Sequence, residues 1–255
     1  MTRRFAFVLA GVVSVAAAFG QQALPKAESI LDRYIEVTGG KAIYEMRKNE
    51  MSVAKLEMPA QGIKGTMTAF AAAPDKVYTT MELEGVGKIE AGVSNGISWE
   101  KSFMTGPRLR EGTEKIDSLR DATFNSPLLW RKLYKKVETL GAETVNGEEC
   151  YKIELTPTDG AVESAWYSKK SGLIVKRARV AKGPMGEIPV EFITLDYREF
   201  NGLLMPTKVV QKAAGAEFMI TLESVRVNEK FGPDRFDPPA EIKALLDKSK
   251  AEPKQ

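Results

Sequence analysis

VEFITLDYREFNGLLMPTKVVQKAAGAEFMITLESVRV, residues 190–227, reads as three strands and two turns. Val190 to Tyr197, Leu203 to Gln211 and Phe218 to Val227 are the strands, and Asn201-Gly202 and Ala214-Gly215 separate them as hairpins. The same punctuation continues upstream. Gly183-Pro184-Met185-Gly186 precedes the first of these strands, Lys170-Ser171-Gly172 separates Val162 to Tyr167 from Leu173 to Val180, and Asn146-Gly147 separates Val137 to Val145 from Cys150 to Leu155. Turns recurring every 8 to 14 residues call for one long meandering antiparallel sheet.

From Asn49 to Asn95 the apolar period is again two, through Met51 and Val53, Ile63 and Met67 to Phe70, Val77 to Leu83, and Ile89 to Val93. Helical spacing flanks and interrupts this pattern. Leu24-Pro25 opens a helix with Ile30, Leu31, Tyr34 and Ile35 on one face, and Gly39-Gly40 ends it. A short helix follows over Lys41 to Arg47. Thr113 to Tyr134 is an inserted helical pair with Ile116, Leu119, Ala122 and Phe124 on one apolar face. Its second helix starts at Ser126-Pro127 and carries Leu128, Leu129, Trp130, Leu133 and Tyr134. Pro239 to Lys250 reads as a C-terminal helix with Ile242, Leu245 and Leu246 inward. The fold class is mainly β with α (α+β): a single strongly bent antiparallel sheet of about 10–11 strands, covered by an N-terminal helix and an inserted helical lid.

Composition limits the chemistry. The 255 residues include no histidine and one cysteine, Cys150, so there is no imidazole base, no Ser-His-Asp relay, no intramolecular disulfide and no CxxC metal knuckle. No cofactor and no metal is expected, and binding is favoured over catalysis. Glu148 and Glu149 point to opposite faces of a strand, while Glu82 and Glu84 share a face with no nucleophile in view. Cys150 points away from Tyr151, Ile153 and Leu155 and reads as an inert thiol. Asp234 and Asp237 lack the rest of a calcium loop.

Residues 1–20 have Arg3-Arg4, an apolar run from Phe5 to Phe19 and small residues at Ala18 and Gly20, the form of a secretory signal cleaved near Gly20. A retained membrane anchor is the competing reading, against which the shortness of the run argues. No cysteine follows the run, so lipidation there is excluded. Losing Arg3 and Arg4 lowers the formal charge from +3 to +1. A nearly neutral exported chain is not expected to bind nucleic acid.

Ala27-Glu28-Ser29-Ile30-Leu31-Asp32-Arg33-Tyr34 with Gly39-Gly40, the helix pair between strands, and Asp196-Tyr197-Arg198-Glu199-Phe200-Asn201-Gly202-Leu203-Leu204-Met205-Pro206 resemble the outer-membrane lipoprotein-sorting proteins of the LolA/LolB-like superfamily. The resemblance spans the mature chain: a signal peptide at 1–20, the family's domain at 21–240, and a C-terminal helix and tail at 241–255. It implies a half-open β-barrel with helices plugging its mouth and a periplasmic cavity for acyl chains. Members of the superfamily also carry glycolipids or act as envelope-stress sensors, so the ligand does not follow from the fold.

The residues fitting such a cavity and lid are Trp99, Met104, Ile116, Leu119, Phe124, Leu129, Trp130, Leu133 and Trp166. An ordinary packed core accounts for the same stripe, and Met51, Met58, Met67, Met81 and Met104 serve equally as filler. Trp99 and Trp166 are either on the concave side or rim and core aromatics. Arg108, Arg110 and Arg120 are candidate contacts for an anionic headgroup. Glu111, Glu114, Asp117 and Asp121 are interleaved with them, as on a solvated helix face. The expected function is a monomeric periplasmic carrier, not an enzyme. It takes a lipoprotein acyl chain or lipid between sheet and lid and works with a membrane-bound donor or acceptor. The alternative is a sensor module binding a polypeptide on the same fold.

Overall fold

The computed structural model describes residues 23–183 and 186–251. The signal segment 1–20 and its cleavage near Gly20 lie outside the described residues. Two helices, α1 (Ala27–Val37) and α2 (Gly40–Met46), precede six strands: β1 (Asn49–Met58), β2 (Ile63–Ala72), β3 (Lys76–Leu83), β4 (Gly87–Ser94), β5 (Ile97–Ser102) and β6 (Gly106–Leu109). The insert holds α3 (Gly112–Asp121), a 3₁₀ turn at Ser126–Leu129 and the single turn α4 (Trp130–Leu133). Seven strands follow: β7 (Tyr134–Val145), β8 (Glu148–Pro157), β9 (Glu163–Ser168), β10 (Ile174–Gly183), β11 (Gly186–Phe200), β12 (Leu203–Ala213) and β13 (Ala216–Val227), then α5 (Ala240–Ala251).

All thirteen strands form one antiparallel sheet in the order β6-β5-β4-β3-β2-β1-β13-β12-β11-β10-β9-β8-β7. Thirteen rather than ten or eleven arises in part because β6 is only four residues long and contains Pro107, so its own alternation is too short to read. Each half of the chain is a meander, and β1 pairs with β13 where the halves meet. The edges are therefore β6 and β7, and the chain between them, residues 110–133, must travel from one edge of the sheet to the other. That connection carries the helical insert across the concave face, which makes the architecture a half-open barrel with a strap. Register shifts at Val53/Ala54, Ile174/Lys176 and Thr194/Asp196 help the sheet bend.

The hairpins are those the sequence marks. Asn95, Asn146 and Asn201 take φ of 53°, 51° and 52°, each before a glycine also at positive φ, the signature of a two-residue turn whose twist suits the strands it joins. After α1, Gly39 at φ +139° lets the chain pass the turn at Gly202, whose carbonyl oxygen would stand 2.6 Å from any Cβ there.

Helix α1 buries Ile30 and Leu31 against Trp130 and the β8–β9 residues Ile153, Leu155, Ala165 and Tyr167. Tyr34 meets Tyr167 edge-to-face at 5.8 Å. On the outer face, the register Phe70–Tyr78–Gly92–Trp99 sets one row of side chains. The C-terminal segment covers that row: Arg235 lies 4.2 Å from the Phe70 ring centre, Phe231 stands 5.5 Å from it, and Ile242 is fully buried. Trp99 is thus an outer-face core residue, not a concave one. Gly92 must be glycine beneath it, since an added Cβ would come within 2.6 Å of the indole.

Candidate functional site

Two cavities lie between the insert and the concave face. The first, about 320 Å³, is bounded by residues 120–134 and strands β10 to β12, with Leu133, Ile174, Phe192 and Val209 as apolar lining and Tyr134 and Tyr197 among them. The second, about 330 Å³, lies between α3 and strands β3–β4 over Val77, Thr79, Ala91 and Val93. Volumes of this size lie at the lower end of small-ligand sites. Asp121 and Arg179 line both cavities. They form a two-pronged ion pair of 2.9 and 2.6 Å that stands as the partition.

Within the insert, helix α3 is held by charge rather than by an apolar face. The residues α3 buries are Asp117 and Arg120, whereas Ile116 is 38 % exposed and Leu119 half-buried. The helix is rotated from the expected packing because the concave face beneath it presents Glu100, Glu163, Arg177 and Arg179, which need counter-charges once water is removed. Arg108 grips Glu114 at 2.8 and 2.6 Å, and Arg110 bonds Glu100 at 2.8 Å and the Ser118 hydroxyl at 3.1 Å. Asp117 holds Arg120 at 2.9 Å and accepts the Ala161 N–H at 3.1 Å.

Glu163, on β9, is buried at the base of the first cavity, where it accepts the Tyr134 hydroxyl and, at 2.6 Å, the Arg177 guanidinium. Burial by itself raises its pKa, but Arg177 and Tyr134 outweigh that and hold it below the ordinary carboxylate value. Burial opposes the charge of Arg177, and Glu163 more than compensates, raising it. The same burial pushes Tyr197 up to about 12, and its hydroxyl donates to the Ile174 carbonyl at 2.9 Å.

Of the residues singled out from sequence, Leu133 and Arg120 line the first cavity. Trp130 sits in the core behind it, its indole N–H donating to Asp32 at 3.1 Å. Phe124 is buried under Arg47 at 5.5 Å, and Leu129 is half-buried on the 3₁₀ turn. Met104 is 67 % exposed at the β5–β6 turn, away from both cavities. Trp166 is on the outer face: it pairs opposite Lys152 while its neighbours Ala165 and Tyr167 face α1, and it packs with Cys150 and Val175 beneath Lys152 and Lys176. Strand alternation requires this once Tyr167 faces inward. Arg108 lines neither of the two cavities, and Arg110 lines only the second. Cys150 is fully buried, and burial pushes its thiol to about 11, where it is unreactive.

Sequence reading did not single out Arg177, Arg179, Glu163 or Asp121 as a group. Its available signal was the i, i+2 spacing of Arg177 and Arg179, which places two charges on one face of a strand inside a sheet. Among the described residues no cluster of three or more His, Cys, Asp or Glu is arranged to hold a metal ion, and no helix is long and apolar enough to cross a membrane.

No protein-family model matches the chain, and no curated protein matches its sequence. Solved structures do match in fold. A LolA superfamily protein from Nitrosomonas europaea is 14 % identical with a TM-score of 0.56, covering 84 % of this chain and 99 % of its own. A DUF1329 family protein from Desulfovibrio piger is 14 % identical with a TM-score of 0.54, covering 84 % and 98 %. An outer-membrane lipoprotein-sorting protein domain from Vibrio parahaemolyticus is 13 % identical with a TM-score of 0.52, covering 86 % and 99 %. The chain has a LolA-like fold: one bent antiparallel sheet, open along β6 and β7, with its concave side bridged by a helical insert.

Proposed function

We propose that the protein is a periplasmic, non-catalytic carrier that acts as a monomer and holds an acyl chain of a lipoprotein or lipid between the bent sheet and the 112–133 insert. The observation that carries the reading is the first cavity, where Leu133, Ile174, Phe192 and Val209 offer apolar surface beneath an element attached at its two ends to opposite edges of the sheet. An insert hung in this way can lift from the concave face without unpairing a strand. The lipoprotein-sorting neighbour supports acyl cargo as the class, with a membrane-bound partner giving or receiving it.

The test is organic extraction of the purified protein followed by mass spectrometry, together with uptake of a fluorescent fatty acid. A stoichiometric lipid, or saturable uptake by the delipidated protein, is expected. Protein that is consistently empty and takes up no probe overturns the carrier. Capture of a defined polypeptide by such empty protein establishes the sensor alternative in its place.

A further inference from the structure

We infer that the cargo carries an anionic group, a phosphate or a carboxylate, and that this group seats at Arg120 and Arg179 where the two cavities meet. The inference rests on the carrier reading and names the class of its cargo.

Arg120 is the first observation. Its side chain is 7 % exposed, and Asp117 and the Asp159 carbonyl take only its Nη1. Its Nε and Nη2 have no hydrogen-bond partner among the described residues. The carboxylate oxygens of Asp121 and Glu163 stand at 4.0 and 3.9 Å from Nε, beyond hydrogen-bonding reach. A buried guanidinium with two idle donors is a costly arrangement that an acceptor from outside would relieve.

Arg179 is the second. It too has an unpartnered Nε, and its two terminal nitrogens are held by Asp121. Asp121 is the last residue of α3, and its side chain is 41 % exposed, the most exposed acid of the group. A lid carboxylate thus occupies, with two-oxygen geometry, the place that a phosphate or carboxylate on a cargo would take. The charges agree with this exchange. Arg120, Arg177 and Arg179 supply three positive charges, and the buried acids Asp117 and Glu163 supply two negative ones. One positive charge is left for either Asp121 or an anionic ligand, and a neutral headgroup cannot fill that role. Phe192 and Val209 line the same cavity and can take the chain attached to such a group.

Binding of dodecyl phosphate, dodecyl maltoside and inorganic phosphate to the whole chain, by calorimetry below micellar concentration, tests this. Dodecyl phosphate should bind about tenfold or more tighter than dodecyl maltoside, as one charge-assisted hydrogen-bond pair provides. Asp121→Asn frees Arg179 and should tighten dodecyl phosphate severalfold while leaving the maltoside unchanged, a gain that no folding defect produces. Arg179→Gln should erase the preference. Inorganic phosphate binding that Asp121→Asn also strengthens supports the same site and shows that the anion is recognised without its chain. Equal binding of the two dodecyl probes, unmoved by Asp121→Asn, overturns the inference and leaves the carrier reading standing. If neither dodecyl probe binds, the carrier reading fails, and the phosphate measurement alone decides the anion site.

Discussion

Glu163 remains ionised although it is almost wholly out of water, and the reason is its neighbours. Burial favours the protonated form; the Arg177 guanidinium at 2.6 Å and the Tyr134 hydroxyl favour the anion, and they prevail. A carboxylate whose folded pKa is depressed below its ordinary 4.5 stabilises the fold at neutral pH and loses that contribution as pH falls through the folded value. Glu163→Gln leaves Arg177 and Arg120 without their nearest shared acid. Breaking a buried pair costs about 3–5 kcal/mol. Arg177 is 44 % exposed, so solvent screening places the loss at the lower end of that range. Urea unfolding at pH 7 should show this as a lower midpoint with unchanged slope. Below pH about 4.5 the gap between variant and parent should narrow, because the parent is then losing what the variant already lacks. A gap that stays constant into acid would show that the ionised form of Glu163 contributes nothing.

At the scale of elements, α3 is where periodicity misleads. Ile116 and Leu119 recur with Ala122 and Phe124 at helical spacing, and the rule that apolar positions turn inward gives α3 an apolar underside. The structure buries Ala122 and Phe124 just past the end of the helix but puts Asp117 and Arg120 beneath the helix itself, because Glu100 on β5, Glu163 on β9 and Arg177 and Arg179 on β10 already charge the surface it covers. That surface is assembled from strands tens of residues apart, so nothing in the helix's own sequence reports it. The hairpins are the opposite case: Asn95-Gly96, Asn146-Gly147 and Asn201-Gly202 specify their turns locally, and the strands on either side follow. Gly160, in the β8–β9 loop, tests how α3 is held. It sits at φ +97°, and a Cβ there would stand 2.3 Å from Asp117 Oδ1 and 2.6 Å from Arg120 Nη1. Gly160→Ala should therefore push α3 outward and cost about 1–3 kcal/mol from the backbone alone. Limited proteolysis should then cut within 111–125 faster than in the parent. Unchanged cleavage would show that the insert does not depend on the Asp117–Arg120 contact.

At the scale of the molecule, the pairing of β1 with β13 joins residue 50 to residue 227, and no local signal in either strand announces it. The meanders were legible, because each hairpin is written in its own turn; where the two meanders join was not, because that contact is decided only when both exist. Such non-local pairing also makes folding depend on the end of the chain. Ending the chain after Gly215 removes β13, leaving β1 and β12 without the strand between them and splitting the sheet into two sets of six. That chain should show no cooperative thermal transition by circular dichroism. Ending it instead after Val227 keeps every strand and removes only the outer covering, including Ile242, whose burial contributes about 1.5–3 kcal/mol. This second chain should still melt cooperatively, at a lower midpoint, with the Trp99 emission shifted to longer wavelength as the indole meets water. Cooperative melting of the chain ending at Gly215 would mean that the two meanders fold as separate units. The cavity would then lie between two independent bodies rather than within one sheet.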